Sequence, residues 1–219
     1  MKKVISFSLW GDNEKYTIGA IKNSELSKEI YPDWVCRFYV GKSTPKHIVD
    51  KLRLFDNTEI IEMESDGDWT GMFWRFYPAS ESDVDVLIVR DCDSRLSNRE
   101  KEAVYEWLNS DKGFHIMRDH PYHKTEILGG MWGSKKGVIS NMKNLINDYI
   151  KGNYWQVDQN FLRECIYPIV KNNCIVHDEY NFFNDQCRSF PTKRLNKEFV
   201  GDVFDEHNQR HSEYYKLIK

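Results

Sequence analysis

The amino-acid sequence predicts an α/β fold, a mainly parallel central sheet flanked by helices in a single domain, and three observations carry that expectation. Short apolar runs alternate with helical segments through the first half of the chain, the pattern of successive βαβ units. No internal repeat or low-complexity tract divides the 219 residues. A pair of aspartates directly follows the apolar run Val86-Leu87-Ile88-Val89, at the carboxyl end of a strand, where open α/β sheets collect their ligands. The strands expected in the first half are 4–9, 35–40, 59–63 and 84–90. Between the second and third, Ser43-Thr44-Pro45 reads as a helix start with proline near the first turn, and Ile48, Val49 and Leu52 supply the inward face. Ser97 and Glu100 have the spacing of a capping box ahead of a helix that runs through Val104, Trp107 and Leu108. Residues 114–117 form a further strand. The stretch 118–137 shows little periodicity, and loops of that length are usually functional or disordered. Helices are expected at 138–150 and 158–166, and a short strand at 174–177. From Asn181 onward the chain is polar and aromatic and reads as an extension packed on the same domain.

Bulk properties bound the function. A chain of 219 residues can bury roughly 70% of its unfolded surface in one domain. The net charge of -3 argues against a nucleic-acid partner, since Lys135-Lys136 and Lys193-Arg194 are isolated pairs and not a basic stripe. Five cysteines without a Cys-x-x-Cys pair make a poor disulfide framework and suit a reducing compartment. The apolar run after Met1-Lys2-Lys3 is too short for a signal peptide, and no stretch of about 20 apolar residues would span a membrane. A cytoplasmic location is therefore expected, with further domains in a longer polypeptide left open.

The pattern Asp-x-Asp occurs three times, and context chooses among the occurrences. Asp66-Gly67-Asp68 lies in a polar segment, Asp83-Val84-Asp85 precedes the apolar core of a strand, and only Asp91-Cys92-Asp93 follows one. Paired hard oxygen ligands there suit Mn²⁺ or Mg²⁺ held against a diphosphate, as in a nucleotide-sugar glycosyltransferase. Without a cation the carboxylates would repel a diphosphate, so a metal requirement follows from the assignment. An aspartate-rich surface turn is the bland alternative.

The opening Ser6-Phe7-Ser8-Leu9-Trp10-Gly11, the segment Arg90-Asp91-Cys92-Asp93-Ser94-Arg95, Met117-Arg118-Asp119-His120-Pro121, Leu128-Gly129-Gly130-Met131-Trp132-Gly133 and Asp158-Gln159 occur in an order that resembles small GT-A-fold glycosyltransferases. These are the enzymes of bacterial polysaccharide clusters and large DNA viruses, similar to the chlorovirus rhamnosyltransferase domain and more distantly to glycogenin. The resemblance implies a GT-A sheet, a nucleoside-diphosphate sugar donor and a divalent metal, and, for a viral chain, the host cytoplasm. It also implies a late histidine completing the metal site, for which His177 at the end of a short strand is the candidate; a histidine hydrogen-bonded within the fold is the alternative. Asp158, otherwise a helix N-cap, becomes the candidate carboxylate near the anomeric carbon.

The remaining candidates follow from their own chemistry. Ser8, Trp10 and Tyr16 could line the base and ribose, although Trp10 suits a core position equally well. Arg75, set among Trp74, Phe76 and Tyr77, is costly to bury without a diphosphate or an acidic side chain to meet it. Arg95 could reach a phosphate oxygen or cap the carboxylates. Arg118 would join Arg75 on the diphosphate, Gly130 would let backbone approach a ligand, and Asp119 or His120 would serve as the base of an inverting reaction. Asp158 would act in a retaining one, which the resemblance favours. These assignments divide the chain into a nucleotide-binding half at 1–117, a sugar and acceptor half at 118–180 and an extension at 181–219. A non-catalytic nucleotide- or glycan-binding module and a metal-dependent nucleotidyl or phosphoryl transferase are the competing functions.

Overall fold

The computed structural model describes residues 1–149, 152–183 and 186–218. One eight-stranded sheet organises the chain, with strands β1 (Lys3–Leu9), β2 (Val35–Val40), β3 (Thr58–Glu62), β4 (Val86–Val89), β5 (Phe114–Arg118), β6 (Trp132–Lys135), β7 (Cys174–Asp178) and β8 (Cys187–Arg188) in the spatial order β3-β2-β1-β4-β6-β5-β7-β8. Every pairing is parallel except those of β6, which runs antiparallel to both β4 and β5. The strands expected from sequence are present within a few residues. The departures are the two-residue β8, in the extension, and β6, which lies inside the stretch expected to be irregular and whose Trp-Gly-Ser-Lys sequence carries no β-branched residue to signal it.

Successive side chains of each strand serve opposite layers. Ile5, Phe7 and Leu9 of β1 and Val86 and Ile88 of β4 pack in a core with helices α1 (Glu14–Ile30), α2 (Lys46–Arg53) and α3 (Asn98–Leu108). Val4, Leu87 and Val89 face a second core. That core is closed by a 3₁₀ helix (Trp69–Ser80), by α4 (Met142–Tyr149) and by α5 (Val157–Phe161), which continues through a π-helical turn (Leu162–Ile166) into α6 (Tyr167–Val170). Both faces are buried, which is why β4 reads as the unbroken apolar run Val-Leu-Ile-Val. The helix expected at 138–150 begins only at Met142, and its expected last residue lies outside the described residues. A last short helix, α7 (Ser212–Tyr215), belongs to the C-terminal extension. Among the described residues no helix is long and apolar enough to cross a membrane.

Two local expectations need correction. Ser97 caps α3 as expected, its Oγ accepting from the Glu100 amide at 3.3 Å, but the Glu100 carboxylate does not return the bond. It is buried against Arg90 Nε at 3.1 Å and the Tyr31 hydroxyl at 3.2 Å. Asp158 is not an N-cap: Gln156 occupies that position in the left-handed region, φ 68°, and Asp158 stands within the first turn.

Candidate active site

The strand order reverses direction of growth between β1 and β4, and the carboxyl ends of these two strands open the crevice where such sheets bind ligands. Asp91 and Asp93 stand there, on the turn that follows β4. The floor of the turn is α1. A Cβ added at Gly19 would lie 1.9 Å from the Cys92 carbonyl oxygen, so only glycine lets the helix pack this close. Asn23, one helical turn on, donates from Nδ2 to the Ser94 carbonyl at 2.9 Å and accepts from the Leu96 amide at 3.1 Å. The buried face of α1 is accordingly small and polar where it meets the turn.

Arg75, on the 3₁₀ helix, is 3% exposed and bridges two carboxylates. Its Nη1 pairs with Asp91 Oδ1, and its Nη2 donates to Asp158 Oδ2 at 2.8 Å. Burial alone would depress the guanidinium, but Asp91 and Asp158 outweigh it and hold Arg75 above its ordinary range. Burial pushes the Asp158 carboxyl up, with Arg75 opposing. Ser8 of β1 locks the backbone beneath this bridge, its Oγ accepting from the Arg75 amide at 3.1 Å. The glycine pair closes it: a Cβ at Gly129 would fall 2.6 Å from both Arg75 Nη2 and Asp158 Oδ2, and one at Gly130 would fall 2.1 Å from Asp91 Oδ2.

Asp93 has its own cation. Lys15 Nζ, from the first turn of α1, lies 2.7 Å from Asp93 Oδ2. Burial raises the Asp93 carboxyl first and the nearby Asp91 charge second, with Lys15 opposing both. Two carboxylates crowded in this way, both hard oxygen donors, fit a divalent ion of the Mn²⁺ or Mg²⁺ kind that takes its other ligands from phosphate and water. Among the described residues no third His, Cys, Asp or Glu joins them in a metal-sized group.

The C-terminal extension lies over the same turn. The Phe204 amide donates to the Asp93 carbonyl at 2.8 Å, and Ser94 and Val203 form an antiparallel bridge. Arg95 is held in this contact, stacked 5.0 Å from the Phe204 ring centre and donating from Nε to Asn208 Oδ1 at 2.8 Å. It meets the Cys92 and Ser94 carbonyls instead of capping the carboxylates. On this arm Asp202 pairs with Arg210 while its Oδ1 is buried without a hydrogen-bond partner, and His211 Nε2 is likewise buried and unpartnered.

Of the residues expected from sequence, Ser8, Arg75, Asp91, Gly130 and Asp158 are gathered in one cluster, with Asp93 beside it. Tyr16 is near enough to feel the charges of both Asp93 and Asp91, and Trp10 packs edge-on to Trp74 at 6.0 Å. Four others are held elsewhere. Asp119 is fully buried and accepts from Arg99 at 2.7 and 2.9 Å, Arg194 at 2.7 Å and the Val200 amide at 2.8 Å, which leaves it no capacity to act as a base. His120 is buried between the Tyr122 amide and the Tyr214 carbonyl. Arg118 is spent on Asp178 and the Glu126 carbonyl. His177 sits in the α3-side core with its Nδ1 2.8 Å from His115 Nε2 and its Nε2 3.5 Å from Glu106, so its polar partners are not Asp91 or Asp93. Lys15 was not anticipated from sequence; its one signal is a lysine in the first turn of a helix, where the macrodipole disfavours a cation unless a carboxylate is near.

No family model matches the chain, and no curated protein matches it. Solved structures do. A glycosyltransferase involved in the glycosylation of the major capsid of PBCV-1 aligns over 81% of this chain and 82% of its own, with 16% identity and a TM-score of 0.55. S. aureus TarS 1-349 in complex with UDP-GlcNAc aligns over 90% of this chain at 14% identity and a TM-score of 0.55. The mannosyltransferase PcManGT from Pyrobaculum calidifontis, in complex with GDP-Man and Mn²⁺, aligns over 81% at 10% identity and a TM-score of 0.53. The chain spans only 60% and 55% of those two. A 4-diphosphocytidyl-2C-methyl-D-erythritol synthase from Anaerococcus prevotii aligns over 82% at 13% identity and a TM-score of 0.50, so the sheet alone does not select sugar transfer. What these likenesses establish is architecture: the chain has the GT-A fold, with its paired aspartates at the crevice between β1 and β4.

Proposed function

We propose that the chain transfers a sugar, a hexose or deoxyhexose, from a nucleoside-diphosphate sugar to a hydroxyl acceptor, with UDP the favoured nucleotide. The observation that carries this reading is the buried Arg75, which joins Asp91 to Asp158 at the crevice beneath Gly129 and Gly130. Its Nε is buried without a hydrogen-bond partner, so the fold does not saturate the guanidinium. As the glycosidic bond breaks, negative charge grows on the leaving diphosphate, and a preplaced cation stabilises that state more than the ground state. Arg75 and Lys15 are the cations the chain supplies there. A divalent ion held by Asp91 and Asp93 would add charge neutralisation of the diphosphate.

In this reading Ser8, Trp10 and Tyr16, in the half formed by residues 1–117, hold the base and ribose. Asp158, in the half formed by residues 118–180, faces the donor sugar and supports a retaining course by stabilising the positive charge that develops at the anomeric carbon. The extension at 181–219 braces the Asp91–Asp93 turn. A nucleotidyl transferase would use the same carboxylates but transfer a nucleoside monophosphate unit from a nucleoside triphosphate to its acceptor and release pyrophosphate, where a glycosyltransferase releases the nucleoside diphosphate, so the released product separates the two.

The test is a thermal-shift panel of UDP, GDP, CDP, dTDP and their sugars with and without Mn²⁺. A nucleotide at a hundred times its Kd stabilises by about 2.7 kcal/mol, which for a domain of this size raises Tm by about 5–11 °C. One nucleotide should do so only with metal, and Asp91→Asn with Asp93→Asn should abolish the effect. The absence of any nucleotide-induced shift under all metal conditions would overturn the reading.

A further inference from the structure

Three large aromatic side chains stand exposed on two segments that the backbone ties together: Trp69 at 44%, Tyr154 at 42% and Trp155 at 66%. The chain has seven tryptophans, and these two are the exposed ones; Trp34, Trp74, Trp107 and Trp132 are buried and Trp10 is half-buried. The grouping is built by the backbone. The Trp69 amide donates to Asn153 Oδ1 at 3.0 Å, tying the start of the 3₁₀ helix to the segment 152–156. The Val157 amide donates to the Tyr154 carbonyl at 3.3 Å, and Asn160 Nδ2 lies 3.5 Å from the Tyr154 hydroxyl. Gln156 takes the left-handed conformation between Trp155 and α5, an unusual state for a residue other than glycine, and it sets Trp155 outside the helix at its mouth.

The elements that carry the aromatics also carry the candidate active site. The 3₁₀ helix runs from Trp69 to Arg75, and Asp158 follows Trp155 by three positions. Each of the two segments therefore leads from an exposed ring to one member of the Arg75–Asp158 pair. Segment 152–156 reads Gly-Asn-Tyr-Trp-Gln, without a charge, and Asp68 beside Trp69 is engaged as the cap of its own helix through the Thr70 amide. Flat apolar rings interleaved with amides and a hydroxyl suit a ligand with an apolar face and many neutral hydroxyl groups. A membrane surface would instead select lysine and arginine around the rings, and a stable protein partner a wider apolar area.

We infer that Trp69, Tyr154 and Trp155 form the acceptor subsite and that the acceptor is a neutral oligosaccharide chain, a conclusion that rests on the transferase reading above. Sugar rings stack on the two indoles while the asparagines and the tyrosine hydroxyl meet the hydroxyl groups, and the terminal residue is directed toward Asp158.

The experiment is a titration of protein labelled with ¹⁵N at the tryptophan indoles, the signals of interest assigned with Trp69→Phe and Trp155→Phe. The probes are maltohexaose, cellohexaose, mannohexaose and rhamnose oligosaccharides at millimolar concentration, with a hyaluronan hexasaccharide and phosphatidylglycerol vesicles as controls. At least one neutral oligosaccharide should move the Trp69 and Trp155 signals and leave Trp34, Trp107 and Trp132 in place. Trp69→Ala with Trp155→Ala should weaken that binding at least tenfold, with an unchanged Tm as the control for folding. Silence of both signals toward every neutral oligosaccharide, or a response to the acidic hexasaccharide or the vesicles alone, overturns the inference. Failure of the transferase reading would look different: no nucleotide-induced thermal shift, with the oligosaccharide response intact.

Discussion

Replacing Arg75 with methionine removes the cation that bridges Asp91 and Asp158 while keeping most of the side-chain volume. Asp158 is 1% exposed, so its carboxylate cannot recover water when the guanidinium is lost; the Asp91 side chain is 38% exposed and can. The cost is therefore set by Asp158. Breaking a buried ion pair from one side costs about 3–5 kcal/mol, which at 2–4 °C per kcal/mol lowers Tm by about 6–20 °C. Arg75→Lys should recover only part of this, because an ammonium cannot span two carboxylates. Arg75→Met with Asp158→Asn removes the stranded charge and should return to within about 2 kcal/mol of the native protein. The pH dependence gives the mechanism. Burial already raises the Asp158 carboxyl, and loss of Arg75, which opposes that rise, raises it further. A carboxyl raised in the folded state contributes stability at low pH that is lost as pH rises through its folded pKa. The deficit of Arg75→Met is thus largest near pH 8 and shrinks toward pH 5, measured by urea denaturation at both. A deficit under about 1 kcal/mol at pH 8, or a double variant no more stable than the single one, would refute the reasoning.

Three further outcomes are expected. Gly130→Ala places a Cβ 2.1 Å from Asp91 Oδ2 and 2.9 Å from the Asp91 nitrogen, so the aspartate must move; the variant should lose about 1–3 kcal/mol and the metal-dependent nucleotide shift, both read by thermal melting. Lys15→Met frees Asp93 from its ion pair, worth up to about 1 kcal/mol, and should tighten Mn²⁺ binding by up to about fivefold in an electron paramagnetic resonance titration; unchanged affinity would remove Lys15 from the site. Burial pushes the His123 imidazole down to about 3, so its contribution is complete above the unfolded value near 6.5 and is lost as pH falls below it, at about 1.4 kcal/mol per pH unit and up to about 5 kcal/mol in all. Asp202, pushed up to about 6 by burial, works in the opposite sense and loses up to about 3 kcal/mol as pH rises from about 4 through 6. The two contributions nearly cancel between pH 4 and pH 6, so over that range stability should rise with pH in Asp202→Asn and fall with pH in His123→Asn, read from denaturation curves.

The sheet was legible where burial is apolar. Strands β1, β4, β5 and β7 announce themselves by runs that serve two cores, β2 by Cys36, Phe38 and Val40 facing one, and α2 and α3 by apolar residues at helical spacing. Helix α1 was not legible, although it is the longest, because six of the eight buried residues on its inward face are Thr17, Gly19, Ala20, Asn23, Ser24 and Ser27, with only Ile21 and Ile30 as large apolar ones. Gly19 and Asn23 meet the Asp91–Asp93 turn while Ser24 and Ser27 meet Asn57, and periodicity of hydrophobic residues cannot register such contacts. The paired aspartates were legible because a strand precedes them, and Arg75 because an arginine among aromatics needs an anion. Their meeting through Asp158, 83 positions from Arg75, is tertiary and leaves no local trace.

The polar segment 118–123 supplied three candidate residues, Arg118, Asp119 and His120, and the structure holds their side chains within the fold. Asp119 and Asp158 are both buried and both paired with arginine. Asp119, however, accepts four hydrogen bonds from Arg99, Arg194 and Val200, and Asp178 similarly takes Arg118 together with the amides of Tyr180, Asn181 and Phe182. Such groups have no remaining valence for a ligand, and their role is to anchor the extension to β5 and β7. Around Arg75 the balance is the reverse: a single guanidinium serves two carboxylates, its Nε has no partner, and the flanking positions are glycines whose side chains would fill the space. A buried polar cluster costs least when it is saturated; Arg90 Nη2 and His115 Nδ1 are also buried without a partner, but the Arg75 cluster lies beside a half-exposed aspartate at the carboxyl end of β4, where a ligand from outside the chain can reach it.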